Sequence, residues 1–135
     1  MVPLERLDAA ALRAVIIGYR DALSAHKETI NRLNVYPVPD GDTGTNMSLT
    51  LVSVCEGLDG ADSSMADTCK AVAHGALMGA RGNSGVILSQ LLRGLTGVWR
   101  DHDAADGPLV AAALAEAAAS AYGAVGKPVE GTILT

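Results

Sequence analysis

Asp40 and Asp42 flank Gly41 within Asn34-Val-Tyr-Pro-Val-Pro-Asp-Gly-Asp-Thr-Gly-Thr-Asn-Met47. Gly41 adds no side chain and few backbone limits, so both carboxylates can turn toward one point. Magnesium is commonly held by one or two protein carboxylates, with waters and substrate phosphate oxygens completing its octahedron. Thr43, Gly44, Thr45 and Asn46 then bring backbone amides and short polar side chains to the start of a helix. Such a terminus attracts an anion through its free N–H groups and its dipole. The spacing therefore predicts a hard-cation site beside a phosphate seat. The same residues also suit a plain turn and helix cap, where Asp and Gly are frequent for local reasons.

A second cluster, Gly79-Ala-Arg-Gly-Asn-Ser-Gly85, is equally dense in glycine. Gly82 and Gly85 permit close backbone approach, and Asn83 and Ser84 can donate to an anion. A helix–helix turn with Ser84 as N-cap is the competing account of these residues. Other chemistries fail by position. Aligning Asp40 and Asp42 as positions one and three of a calcium loop puts Gly44 at five, Thr45 at six and Leu51 at twelve, without the required glycine and glutamate. Gly126-Lys127 is followed by Pro128 rather than Ser or Thr, so there is no Walker A loop, and no dinucleotide fingerprint follows a strand. His74 and His102 have no His or Cys at zinc-ligand spacing, and no Ser–His–acid arrangement stands out.

These clusters need a frame, and the periodicity supplies helices. Leu12, Val15, Ile16, Tyr19, Leu23, His26, Ile30 and Leu33 recur at helical steps from near Asp8 to Leu33, with Asp8 as cap and His26 on the apolar face, partly buried. Pro37 and Pro39 stop that helix. A second helix is expected over about 44–56, burying Met47, Leu51, Val54, Cys55 and Leu58. A third, over about 63–78, buries Met65, Cys69, Val72, Ala73, Ala76 and Leu77. A fourth, over about 85–99, packs through Val86, Ile87, Leu91, Leu92 and Leu95. The connector 100–107 reads as polar and flexible. Pro108 suits the first turn of an Ala-rich fifth helix ending near Tyr122, whose small side chains let neighbouring backbones come close. No segment reads as a strand. One all-α domain of antiparallel helices follows, over residues 1–135, as the first part of a longer domain because nothing terminates Gly131-Thr-Ile-Leu-Thr135.

Composition agrees with that class. With no Phe, three Tyr and one Trp in 135 residues, the core must be aliphatic and Ala-rich, which suits closely packed helices. The formal charge of −5 argues against a nucleic-acid surface. Cys55 and Cys69 read as isolated, buried, reduced thiols. No signal core or membrane-length apolar run is evident, so no membrane insertion and a cytoplasmic location are expected.

The two long motifs, Asn34–Met47 and Gly79-Ala-Arg-Gly-Asn-Ser-Gly-Val-Ile-Leu-Ser-Gln90, closely resemble the nucleotide-binding domain of bacterial fatty acid kinases. That domain is similar to the ADP-binding subunit of dihydroxyacetone kinases. The resemblance covers nearly the whole chain, and Gly126–Thr135 looks like a third element that helps enclose the nucleotide. It implies an antiparallel helical barrel of the dihydroxyacetone-kinase nucleotide-binding type, incomplete at the C-terminus, with ATP or ADP and Mg2+ at one end. Asp40 and Asp42 match the family's metal-binding aspartates and are thereby the catalytic pair. Thr43, Gly44, Thr45 and Asn46 match the first phosphate-contacting segment; Gly82, Asn83 and Ser84 match the second. Asn34 stands near another family aspartate, but a neutral amide does not replace a carboxylate, so it is not carried over as a metal ligand.

The resemblance further implies a kinase acting on a fatty acid that a separate binding protein presents. The fatty acid carboxylate attacks the γ-phosphate to give an acyl phosphate. A homodimer through regions past Thr135 is compatible with it. The alternatives are a dihydroxyacetone-kinase-type subunit whose bound ADP relays the phosphoryl group, and a catalytically incomplete helical fragment that binds a partner.

Overall fold

A computed structural model describes residues 5–35 and 40–125. The Asp8 carboxylate accepts from the Ala11 amide at 2.8 Å and starts α1 (Ala9–Leu33), the expected cap and span. α2 follows over Thr43–Asp59, and α3 covers Met65–Gly79 with Ser64 capping Asp67. α4 covers Gly82–Trp99. α5 covers Gly107–Gly123, with the Asp106 carboxylate accepting from Leu109 and proline in the first turn. The all-α expectation holds; α2, α4 and α5 run slightly past their expected spans, while α3 starts two residues later than expected. Neither the helix stop assigned to Pro37 and Pro39 nor the element at Gly126–Thr135 falls within the described residues.

Each helix packs on the next in chain order, and α2 also meets α4. With short connectors this makes an antiparallel array. Its core is aliphatic: Leu51, Val54, Leu58, Val72 and Leu88 are almost wholly buried. Small residues set the helix spacing. A Cβ added at Gly94 would stand 2.6 Å from the Ala117 Cα and 2.8 Å from the Glu116 carbonyl oxygen, so α4 and α5 touch through their backbones. That contact is what the Ala-rich fifth helix is for, with Ala113, Ala117 and Ala121 turned inward. Among the described residues, no helix is long and apolar enough to cross a membrane.

Several expectations need correction. The connector after α4 is not featureless: β2 (Ala104–Ala105) pairs antiparallel with β1 (Leu7–Asp8), and Ala105 is buried. Two-residue strands are too short to carry an alternation signal. Val15, Tyr19, Leu33, Leu77 and Val86 are exposed, as is His26. Periodicity located an apolar face wider than the contact actually made. Because α1 packs chiefly on α2, only the stripe Ala9, Leu12, Ile16 and Leu23 is buried.

Cys55 and Cys69 are buried and free, as expected. Burial pushes the Cys69 thiol up to about 11, against a weaker opposing pull from Arg100. Between the ordinary value of 9.0 and about 11 the unfolded chain loses this proton while the folded chain keeps it. The contribution to stability is thus complete below pH 9.0 and fades as pH rises through about 11. A Cys69→Ala variant should therefore show a shallower alkaline loss of stability than the parent in denaturant titrations between those limits. Parallel curves would remove Cys69 as the source.

Candidate functional site

The described residues of both motifs meet at one end of the helical array, where α2 and α4 begin. Gly41 takes a φ of 66°, a conformation glycine adopts at little cost. Asp40 is exposed on one side of it and Asp42 half-buried on the other. Asp42 is the N-cap residue of α2, yet its carboxylate makes no capping bond. That work is done from α1. The Asn34 Oδ1 accepts from the amides of Asp42 at 3.0 Å and Thr43 at 3.2 Å, and the Asn31 Oδ1 accepts from the Thr45 amide at 3.1 Å. The fourth amide, of Asn46, closes the first helical turn onto the Asp42 carbonyl at 2.9 Å.

This arrangement changes the expected division of labour. The sequence suggested free amides across Thr43–Asn46; those of Thr43 and Thr45 are already bonded to asparagine side chains. Asn34 has a definite structural role as a cap for the start of α2. Asn31 was not singled out from sequence at all. A polar residue on an otherwise helical stretch carries no spacing signal, and only the packing of α1 on α2 reveals its partner. Gly44 is where those helices meet: a Cβ there would overlap the Lys27 carbonyl oxygen.

The α4 terminus differs. Its N-cap is Arg81, without any side-chain cap bond, and Gly82 starts the helix with a φ of 63°. Ser84 is therefore inside the first turn and is not the N-cap. The glycine conformation lets the helix begin three residues earlier than a Ser84 cap would allow. The two termini are joined by α2. The Arg81 amide donates to the Thr50 hydroxyl at 3.2 Å, while that hydroxyl donates to the Asn46 carbonyl at 2.7 Å. A Cβ on Gly82 would strike the Asn46 Nδ2, and one on Gly85 would crowd the Thr50 hydroxyl.

Thr43, Gly44, Thr45, Asn46 and Gly82 are thus drawn into one neighbourhood, with Asn83 and Ser84 on the adjoining first turn of α4. Asn83 is exposed and Ser84 half-buried. Asp8, Ser64 and Asp106 spend their side chains on capping their own helices, whereas the two helices at the motif end do not self-cap. No group of three or more His, Cys, Asp or Glu side chains that could hold a metal by themselves occurs among the described residues. Two carboxylates with an open remainder suit a cation shared with an anionic ligand such as magnesium with phosphate, not a closed structural metal site. The residues present fit such a pair: the Asp42 carboxylate is not engaged in capping, and the space beside Asn46 exists only because residue 82 has no Cβ.

The model of the DAK2 domain matches residues 37–135. An uncharacterized protein of Staphylococcus saprophyticus is 43% identical over 133 residues, covering 98% of this chain and 24% of its own length. An uncharacterized protein of Staphylococcus aureus strain USA300 gives the same identity and coverage. This chain therefore spans about a quarter of the length of the curated relatives it matches.

Proposed function

This chain belongs to the DAK2-domain family, and from that premise we propose that it binds ATP or ADP with Mg2+ where α2 and α4 begin, serving phosphoryl transfer. The observation that carries the proposal is the pair of helix starts whose N-cap residues do not cap. The Asp42 carboxylate and the first turn of α4 are both left for a ligand, within reach of the same Asn46.

In this reading Asp40 and Asp42 hold the cation. The hydroxyls of Thr43 and Thr45, the side-chain amide of Asn46 and the first residues of α4 (Gly82, Asn83, Ser84) meet phosphate oxygens. Gly44 serves by letting α1 approach. Bound Mg2+ supplies neutralisation of charge on the phosphoryl oxygens, and phosphoryl transfer asks the protein mainly for positioning and such electrostatics. A fatty acid carboxylate, presented by a separate binding protein, is the proposed acceptor. Its oxygen forms a bond to the γ-phosphorus as the bond to the β–γ bridging oxygen breaks, leaving ADP and an acyl phosphate. A carboxylate needs no side-chain base, and none is required of this site.

The test uses the complete gene product, ATP labelled in its terminal phosphate, and two acceptors offered separately. Label trapped from a protein-presented fatty acid as an acyl phosphate is the expected outcome. Label in dihydroxyacetone phosphate alone would move the protein to the relay type of dihydroxyacetone kinase. Failure to bind ATP or ADP with Mg2+ present would leave the partner-binding reading in its place.

A further inference from the structure

We propose that Asn31 sets the hydrogen-bond polarity of the α2 terminus, so that the Thr45 hydroxyl is held as a donor toward a bound phosphate. This rests on the nucleotide reading above. The Thr45 backbone N–H can only donate, so the group facing it at 3.1 Å must be the Asn31 Oδ1. The other half of the amide, Nδ2, then faces the Thr45 Oγ1 at 2.9 Å and can only donate to it. The hydroxyl oxygen is therefore an acceptor in that bond, and its own hydrogen remains to be given elsewhere. No described group takes it.

Neighbouring hydroxyls are used differently. Thr50 both donates and accepts within the fold, and Ser48 pairs with Ser24 at 3.1 Å. Thr45, half-buried in the first turn of α2, accepts instead from a side-chain amide on α1 and has its own hydrogen left over. The backbone contact between Gly44 and Lys27 holds that amide in register. Asn31 is a positioning residue: it acts on the ligand through Thr45.

Asn31→Asp separates polarity from structure. A carboxylate at 31 still accepts from the Thr45 amide, but it also accepts from the Thr45 hydroxyl and turns that hydrogen inward. The cap survives and the donor is lost. The experiment is a calorimetric titration with Mg-ATP, with thermal melts, of the parent, Asn31→Asp, Thr45→Val, Thr45→Ser and the Asn31→Asp/Thr45→Val pair. Asn31→Asp is expected to melt within about 3 °C of the parent and to bind at least about tenfold more weakly, the effect of one hydrogen bond to a charged acceptor. Thr45→Ser should bind like the parent and Thr45→Val like Asn31→Asp, with the double variant no weaker than Asn31→Asp alone.

Parent-like binding by Asn31→Asp overturns the inference, and so do additive losses in the double variant, which would mean that the new charge acts on phosphate directly. If Asn31→Asp loses its fold, the Thr45→Val and Thr45→Ser comparison decides: equal binding by the two overturns it. A parent that fails to bind Mg-ATP removes the nucleotide reading itself. A parent that binds while the variants are indifferent removes only the role of Asn31.

Discussion

Changing Asp40 and Asp42 together to asparagine is expected to weaken Mg2+-dependent ATP binding by more than about 100-fold, since losing an outer-shell partner of a metal alone costs about 10- to 100-fold. The fold should be untouched. At Asp42 the structure uses the backbone: its carbonyl accepts from Asn46 and its amide donates to Asn34, and both groups persist in asparagine. Its carboxylate takes no part in capping α2, and asparagine is as good a residue as aspartate at that position. Calorimetric titrations with and without Mg2+, beside a thermal melt, read both halves. Undiminished Mg2+-dependent binding by the double variant would remove these carboxylates as the cation ligands, and a large fall in melting temperature would show that they hold the loop instead.

The second large effect is on stability and comes from Gly44→Ala. The added methyl would overlap the Lys27 carbonyl oxygen and stand 2.9 Å from the Lys27 Cα and carbonyl carbon. These are backbone atoms that cannot rotate away, so α1 and α2 must part, and the bonds of Asn31 to Thr45 would stretch with them. Overpacking of this kind costs about 1–3 kcal/mol, and the rigid neighbour places Gly44 toward the upper end. Gly18→Ala is the matched control, because nothing lies within 4 Å of a Cβ there. In the middle of α1 that change should stabilise by about 0.8–1 kcal/mol through helix propensity alone. Opposite signs for one chemical change, measured by denaturant unfolding, are the expected result. Equal effects would show that α1 and α2 are not packed through Gly44.

Much of the frame is readable without coordinates. The apolar steps through Leu51, Val54 and Leu58, or Met65, Cys69 and Val72, mark helix and buried face together, because a 3.6-residue period maps directly onto one side of a helix. Asp8 announces its helix by a local rule, since a cap bonds to an amide three residues away. The motif loop is likewise legible: two carboxylates about a glycine and a second glycine-rich turn point to cation and anion chemistry by residue type. The same local rules misplaced the start of α4, where Gly82 with its positive φ, not Ser84, opens the helix.

What the chain determined by itself is therefore what depends on near neighbours: five helices, the Asp8 cap, the apolar stripes that could be buried and the residue types at the motif. What tertiary structure decided depends on residues far apart in sequence. Asn31 reaches Thr45 across fourteen positions and the Arg81 amide reaches Thr50 across thirty-one. These contacts decide which amides of α2 are already spent, which helix start stays uncapped, and that the two motifs share one end of the bundle. They also decide that Val15, Tyr19 and Leu77 stay exposed although they sit on apolar faces. Periodicity reports which residues could be buried; only the arrangement of neighbouring helices determines how wide a stripe is covered. For the same reason the donor left on Thr45 could not be read from the sequence, since its direction is set by an amide on another helix.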